Sequence, residues 1–429
     1  MNFYNLNEDK ERLGFADAVC QGYGKNRGLF FPASIPRLAD IDKLLEMPLV
    51  QRSVEVLHPW VGDDLDKDQL SAIVRQAFDF PVPLVQVDEH CYVLELFHGP
   101  TLAFKDFGAR FLALCLQAFQ AGKKTTILTA TSGDTGAAVA HAFYGLENIR
   151  VVVLYPKGKI SRYQEKLFTT LGGNIETVAV EGNFDDCQAL VKQAFEDPSV
   201  TQNLNLNSAN SINVSRLIAQ VCYYFEAFSQ LSPRHRNQVV LSVPSGNFGN
   251  LTAALFAKAM GLPIKRFIAA TNANDTVPRY LQTGRWDVQA TVATASNAMD
   301  VSNPNNWPRI EEMLATRIIN PADLSGHAVS ESETREAIKY LHEHGYLGEP
   351  HGAVAWRALQ STLQSGEVGL FLGTAHPAKF GQVVEKVIGE AIDLPDALKN
   401  SANKETLSTT IRGDYAQLRN ILLAEGKGH

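Results

Sequence analysis

The chain has 429 residues, enough for about two or three domains, and 45% of them are hydrophobic, so a large core can be buried. Lys and Arg total 39 against 46 Asp and Glu, a net charge of −7 with no basic block, which argues against nucleic acid as a partner. The five cysteines are scattered and fit neither a disulfide framework nor a zinc site.

Met1 to Asp9 shows no basic region followed by an apolar one, so no signal peptide is expected. No apolar run approaches the roughly 20 residues a membrane helix needs, and a cytoplasmic protein with no membrane partner is expected. Residues 1–85 read as a mostly helical amino-terminal domain: a helix from Phe15 to Gly22, a short strand Gly28–Pro32 cut by proline, then two or three helices ending near Phe80. Pro81 and Pro83 mark its boundary. Residues 86–390 alternate apolar strands with helices, the signature of parallel βα units. Strands are expected at Cys91–Leu96, Thr125–Ala130, Val151–Tyr155, Glu176–Val180, Gln238–Val243, Arg266–Ala270 and Gly369–Gly373. Thr271–Trp307 reads as a long polar loop, and long loops in compact domains tend to be functional. Residues 391–429 form a tail ending in a helix with Tyr415, Leu418 and Leu422 on one face.

The segment Phe97-His98-Gly99-Pro100-Thr101-Leu102-Ala103-Phe104-Lys105-Asp106-Phe107 opens an amphipathic helix, with Pro100 suited to its start. Lys105 falls in the first turn between two phenylalanines. A helix amino terminus disfavours an ammonium, and aromatic neighbours desolvate it. Both effects favour the neutral amine that a Schiff base requires.

Two strand-to-helix turns have anion-binding character. Ser245-Gly246-Asn247-Phe248-Gly249-Asn250 can aim backbone amides at one point, with the positive end of a helix behind them. It has neither dinucleotide-fingerprint nor Walker A spacing. In Thr131-Ser132-Gly133-Asp134-Thr135-Gly136, Ser132 and Thr135 could hold a carboxylate, or Ser132 or Asp134 could simply cap the helix. Thr374 ends a further strand. Ligands gather at the carboxyl ends of strands in open parallel sheets, so these turns should converge on one cleft. Lys157, Lys159, Arg162 and Lys166 form a basic patch after another strand. His98, His141, His351 and His376 have no metal spacing and are read as packing or hydrogen-bonding groups.

Together these segments resemble the threonine synthase family, pyridoxal-phosphate enzymes of the tryptophan-synthase-β fold type, over nearly the whole chain. Ser296-Asn297-Ala298-Met299-Asp300-Val301, followed by Asn305, Asn306 and Arg309, looks like the segment that separates this family from related dehydratases. The resemblance implies an α/β fold of PLP type II, with mainly parallel sheets in two catalytic subdomains and a smaller mobile subdomain around 105–215. It implies that Lys105 carries pyridoxal 5'-phosphate as a Schiff base, that Gly246, Asn247, Phe248, Gly249 and Asn250 hold the cofactor phosphate, and that Thr374 faces the pyridine nitrogen. A neutral hydroxyl there is expected to leave that nitrogen largely unprotonated. Asp134 stands where many relatives carry Asn, and its charge would repel the cofactor's phenolate oxygen. The implied reaction, the last step of threonine biosynthesis, converts O-phospho-L-homoserine and water to L-threonine and phosphate. Ser132 and Thr135 are expected at the substrate carboxylate, and Lys159 and Arg162 at its phosphate, with no metal, in a monomer or small homo-oligomer. The alternatives are another PLP lyase on a hydroxy- or phospho-amino acid, or a non-catalytic phosphoryl-ligand-binding protein.

Overall fold

The computed structural model describes residues 1–120 and 122–424. Fourteen strands appear among them: β1 (Asn2–Asn5), β2 (Glu8–Gly14), β3 (Phe30–Pro32), β4 (Leu84–Asp88), β5 (Cys91–Glu95), β6 (Thr125–Ala130), β7 (Ile149–Pro156), β8 (Ile175–Val180), β9 (Leu206–Asn207), β10 (Val239–Pro244), β11 (Arg266–Thr271), β12 (Leu324–Ala328), β13 (Val368–Gly373) and β14 (Ser408–Ile411). They form three sheets, ordered β2-β1-β3, β12-β11-β10-β13-β5-β4 and β14-β8-β7-β6-β9. The largest sheet is parallel except where β4 pairs with β5, and the five-stranded sheet is parallel throughout. Strands β6, β10 and β13 are buried along their whole length. That is why they read as unbroken apolar runs, since helices cover both faces of such sheets.

The parallel registers bring strand ends together. Leu241 lies opposite Leu370, and Gly373 opposite Glu95, so the turns after β10, β13 and β5 meet at one edge. Between the sheets runs the helix Val214–Gln230, buried on nearly every side, packing against the helices Lys105–Phe119, Leu49–Val61 and Gly249–Ala259.

Several elements depart from the sequence-based expectation. The amino-terminal region carries its four helices but also the antiparallel β1–β2 pair, whose second strand, Glu8–Gly14, has no buried residue and so no apolar alternation to read. The expected 271–307 loop contains the helix Thr276–Thr283, and another helix, Trp307–Ala315, begins at its end. Both have proline in the first turn, where the missing N–H costs nothing. Pro100 does not start the Lys105 helix. Residues 99–104 turn back instead and pair with the end of β13, the amide of Phe104 donating to the carbonyl of Thr374 (2.9 Å) and that of His376 to Leu102 (3.0 Å). The helix therefore begins at Lys105 itself, beside Thr374.

Candidate active site

One cleft is lined by Lys105, Ser132, Thr135, Thr374 and the whole turn Ser245–Asn250, all from segments singled out above. Asn210, Arg216, Met299 and His351 line it too. A larger cavity of about 1110 Å³ adjoins it, sharing Ala130, Asn210 and Val301, but Lys105 and the glycine turn are not among its lining residues. The reactive groups thus sit in the smaller cleft.

Lys105 is the first residue of its helix, and its Nζ lies 5.7 Å from the centre of the Phe104 ring. Among the described residues it has no carboxylate within 4 Å and no hydrogen-bond partner. Burial pulls its pKa down to about 8; Asp134 opposes this, while Arg216 and Lys379 add to it. A neutral amine is accessible near neutrality, which nucleophilic attack on an aldehyde requires.

The turn after β10 is held by close packing. A Cβ on Gly246 would lie 2.7 Å from Met299 Cα and 2.9 Å from the Ala298 carbonyl, so only glycine fits. Phe248 adopts the left-handed conformation (φ 61°, ψ 8°) and packs edge-on against Trp307. The amides of residues 246–250 find no acceptor in the described protein and open onto the cleft. Asn305 donates from its amide to Asn247 Oδ1 (2.7 Å), and Asn306 Nδ2 to the Asn247 carbonyl (3.1 Å). Arg309, fully buried, then bonds Asn306 and the carbonyls of Phe30 and Ile212, which braces the turn against the amino-terminal region. Asn250 accepts from the hydroxyls of Tyr223 and Tyr224, leaving its Nδ2 buried and unpaired.

The turn after β6 is capped by a residue not considered for it. Thr131 Oγ1 accepts from the amides of Gly133 (2.9 Å) and Gly136 (2.7 Å), so neither Ser132 nor Asp134 is the cap. Ser132 and Thr135 are left free at the cleft wall. Asp134 also lines the cleft, and its carboxylate pairs with the fully buried Lys379 (2.6 Å) and accepts from Gln164 Nε2 (3.0 Å). Burial alone would raise this carboxyl, but Lys379 and Lys105 hold it below its ordinary value. The neighbouring Asp106 carboxyl is pushed up to about 6 by burial and ties down Thr101 through its amide and hydroxyl.

Lys159 and Arg162, expected at the substrate phosphate, are not brought to the cleft. Both are exposed, neither lines the cleft, and Arg162 donates instead to the Ala402 carbonyl (3.3 Å). Arg162 opens the helix Arg162–Thr169, which turns Gln164 inward toward Asp134, and two residues of helix rotate Arg162 to a different face; Lys159 precedes that helix. Among the described residues, Arg216 also lines the cleft without an anion. It is 1% exposed, one guanidinium nitrogen donates to the Ala209 carbonyl (2.6 Å), and its Nε has no partner. Among the described residues no carboxylate lies within 4 Å of it. Burial pulls its pKa to about 10. Its signal in the sequence is a lone Arg in the first turn of a helix that is otherwise largely apolar, where a cation is disfavoured.

Comparison with known proteins decides the family. Residues 79–373 match the model of pyridoxal-phosphate dependent enzymes, residues 2–78 that of the threonine synthase N terminus, and residues 352–422 that of the threonine synthase C-terminal region. The chain belongs to the threonine synthase family. It is 59% identical to threonine synthase of Haemophilus influenzae over 99% of this chain and all of that one. The crystal structure of threonine synthase from Escherichia coli superimposes with a TM-score of 0.96 at 57% identity, covering 99% of both chains. A PLP-bound threonine synthase from Brucella melitensis gives 0.91 at 33% identity, covering 98% of both. The family is a group of pyridoxal-phosphate-dependent lyases. The residues present fit that cofactor: an amine without a partner among the described residues for its aldehyde, a cradle of free amides for its phosphate, and orphaned donors on Arg216 and Asn250 in the same cleft.

Proposed function

We propose that this threonine synthase acts in the cytoplasm on O-phospho-L-homoserine, and that Arg216, not Arg162, holds the substrate phosphate. The carrying observation is a buried guanidinium without an anion among the described residues, beside the Lys105 amine in the same cleft. A buried charge is costly unless paired, and the substrate phosphate supplies the partner through charge-assisted hydrogen bonds.

The roles follow by residue. Lys105 carries pyridoxal phosphate, the amides of Gly246, Asn247, Phe248, Gly249 and Asn250 hold the cofactor phosphate, and Thr374 faces the ring nitrogen. When bound, the cofactor supplies the electron sink for proton loss from substrate carbons. Ser132 and Thr135 orient the substrate carboxylate. Lys105 Nζ, released when substrate binds, takes the proton from Cα and then from Cβ as a general base. Phosphate leaves from Cγ while Arg216 holds its charge. Cγ gains a proton and becomes the methyl group, water adds its oxygen at Cβ, and a proton returns to Cα, giving threonine. The two nearby cations, Arg216 and Lys379, favour the neutral form of Lys105 on which this depends.

The test is turnover of phosphohomoserine with threonine and free phosphate both measured. Arg216→Lys should raise KM about 10- to 100-fold, the cost of one or two hydrogen bonds to a charged group, with cofactor content unchanged. Arg162→Ala should leave KM as it is. The opposite pattern would return the phosphate site to the exposed patch.

A further inference from the structure

Asn250 closes the turn after β10 and is the second residue of the helix Gly249–Ala259; it is 5% exposed. Its side chain reaches the helix Val214–Gln230, where the hydroxyls of Tyr223 and Tyr224 both donate to Asn250 Oδ1, that of Tyr224 at 2.5 Å. The Tyr224 hydroxyl also lies 3.0 Å from the Asn250 carbonyl. Both tyrosines are fully buried; their ring centres are 4.8 Å apart, and Phe107 packs edge-on against Tyr223. Burial pushes both phenols well above their ordinary pKa, so they stay protonated. Phenols this deep need an acceptor, and Asn250 Oδ1 serves both.

An amide that gives its oxygen to two phenols must turn its nitrogen elsewhere. Asn250 Nδ2 is buried and has no acceptor among the described residues. Buried donors are rarely left so. The backbone amides of the same turn also lack acceptors and open onto the cleft that Asn250 lines. Neither tyrosine lines that cleft.

We propose that the side-chain amide of Asn250, held by Tyr223 and Tyr224, donates to the phosphate of the bound cofactor. Tyr223 and Tyr224 are positioning residues that act through Asn250. The inference rests on the reading that seats the cofactor phosphate on the 246–250 turn. It adds a directed side-chain donor to backbone amides and a helix amino terminus. The backbone amides are aimed by the turn alone, whereas an Asn side chain can present either end. The wrong end would set a carbonyl oxygen against the phosphate. Two phenol protons, each needing an oxygen, choose the right one.

The test is equilibrium binding of pyridoxal 5'-phosphate and of pyridoxal, which lacks the phosphate, to the full chain stripped of cofactor. The proteins are the native chain, Asn250→Asp, Tyr224→Phe and Tyr223→Phe/Tyr224→Phe. Asn250→Asp keeps an oxygen facing the phenols and replaces the donor with a second acceptor. It should weaken binding of the phosphorylated form about 10- to 150-fold and leave pyridoxal nearly unaffected. The tyrosine variants free the amide to turn and should cost about 3- to 10-fold, again for the phosphorylated form alone. The phosphorus-31 resonance of the bound cofactor should move in the same variants. Equal losses for both ligands, the mark of a merely structural role, overturn the proposal. So does an unchanged preference in the folded variants, which pairing of Asn250 with the buried, unpartnered Gln220 Oε1 would give. Tyr224→Phe keeps the ring packing, so it decides the matter even if Asn250→Asp does not fold. A native chain that binds pyridoxal as tightly as its phosphate would sink the reading of the turn itself, and the proposal with it.

Discussion

Removing the reactive amine should stabilise the cofactor-free protein. Lys105 has a pKa of about 8 in the fold against an ordinary 10.5. The difference of 2.5, at about 1.36 kcal/mol per pKa unit, means that the ammonium form opposes folding by about 3 kcal/mol. Between pH 8 and 10.5 the unfolded chain binds the proton and the folded chain does not, so stability of the native apoprotein rises with pH across that window. Below pH 8 both states are protonated and the full penalty is present. Met has a similar length and no charge, so apo Lys105→Met should be more stable than the native apoprotein by up to about 3 kcal/mol at pH 7. The gap should close as pH approaches 10.5. The assay is urea unfolding of both apoproteins at pH 7, 9 and 10.5, followed by fluorescence. A variant less stable than the native apoprotein, or a gap independent of pH, would refute the idea that an unpaired, desolvated amine is held there at the expense of stability.

Further outcomes follow from the neighbouring contacts. Gly246→Ala places a Cβ against the Met299 backbone. Overpacking of about 1–3 kcal/mol should weaken cofactor retention about 5- to 150-fold, read by equilibrium dialysis, and an unchanged Kd would show that the turn can give way. Asp134→Asn strands Lys379, which is fully buried, without its carboxylate. It should cost about 3–5 kcal/mol in unfolding, most of it recovered in Asp134→Asn/Lys379→Met; equal loss in both would deny that the pair matters as a pair.

Much of the site was legible because its segments carry unusual residues in unusual local settings. Lys105 stands between phenylalanines at a helix start, and the 245–250 turn crowds two glycines between a buried strand and a helix. Where the expectation failed, local pattern and tertiary context diverged. Arg162 sits in a visible cluster of cations, yet helix rotation and the Ala402 carbonyl take it outward. Arg216 is hidden in a long apolar helix, and nothing local says that its guanidinium ends in the cleft without an anion. Thr131 takes the capping role expected of Ser132 or Asp134 because its hydroxyl meets two amides that only the folded turn brings to it.

By itself, then, the order of residues determined the alternation of buried strands and helices, the family, and the amine and glycine turn at its centre, since these depend on periodicity and short-range stereochemistry. Only the tertiary structure decided which charges meet. Asp134 finds Lys379 across 245 positions, and Thr374 finds Glu349 across 25. Ionisation and hydrogen-bond direction depend on distances of a few ångströms and on burial, and neither quantity exists until the sheets have closed around the cleft.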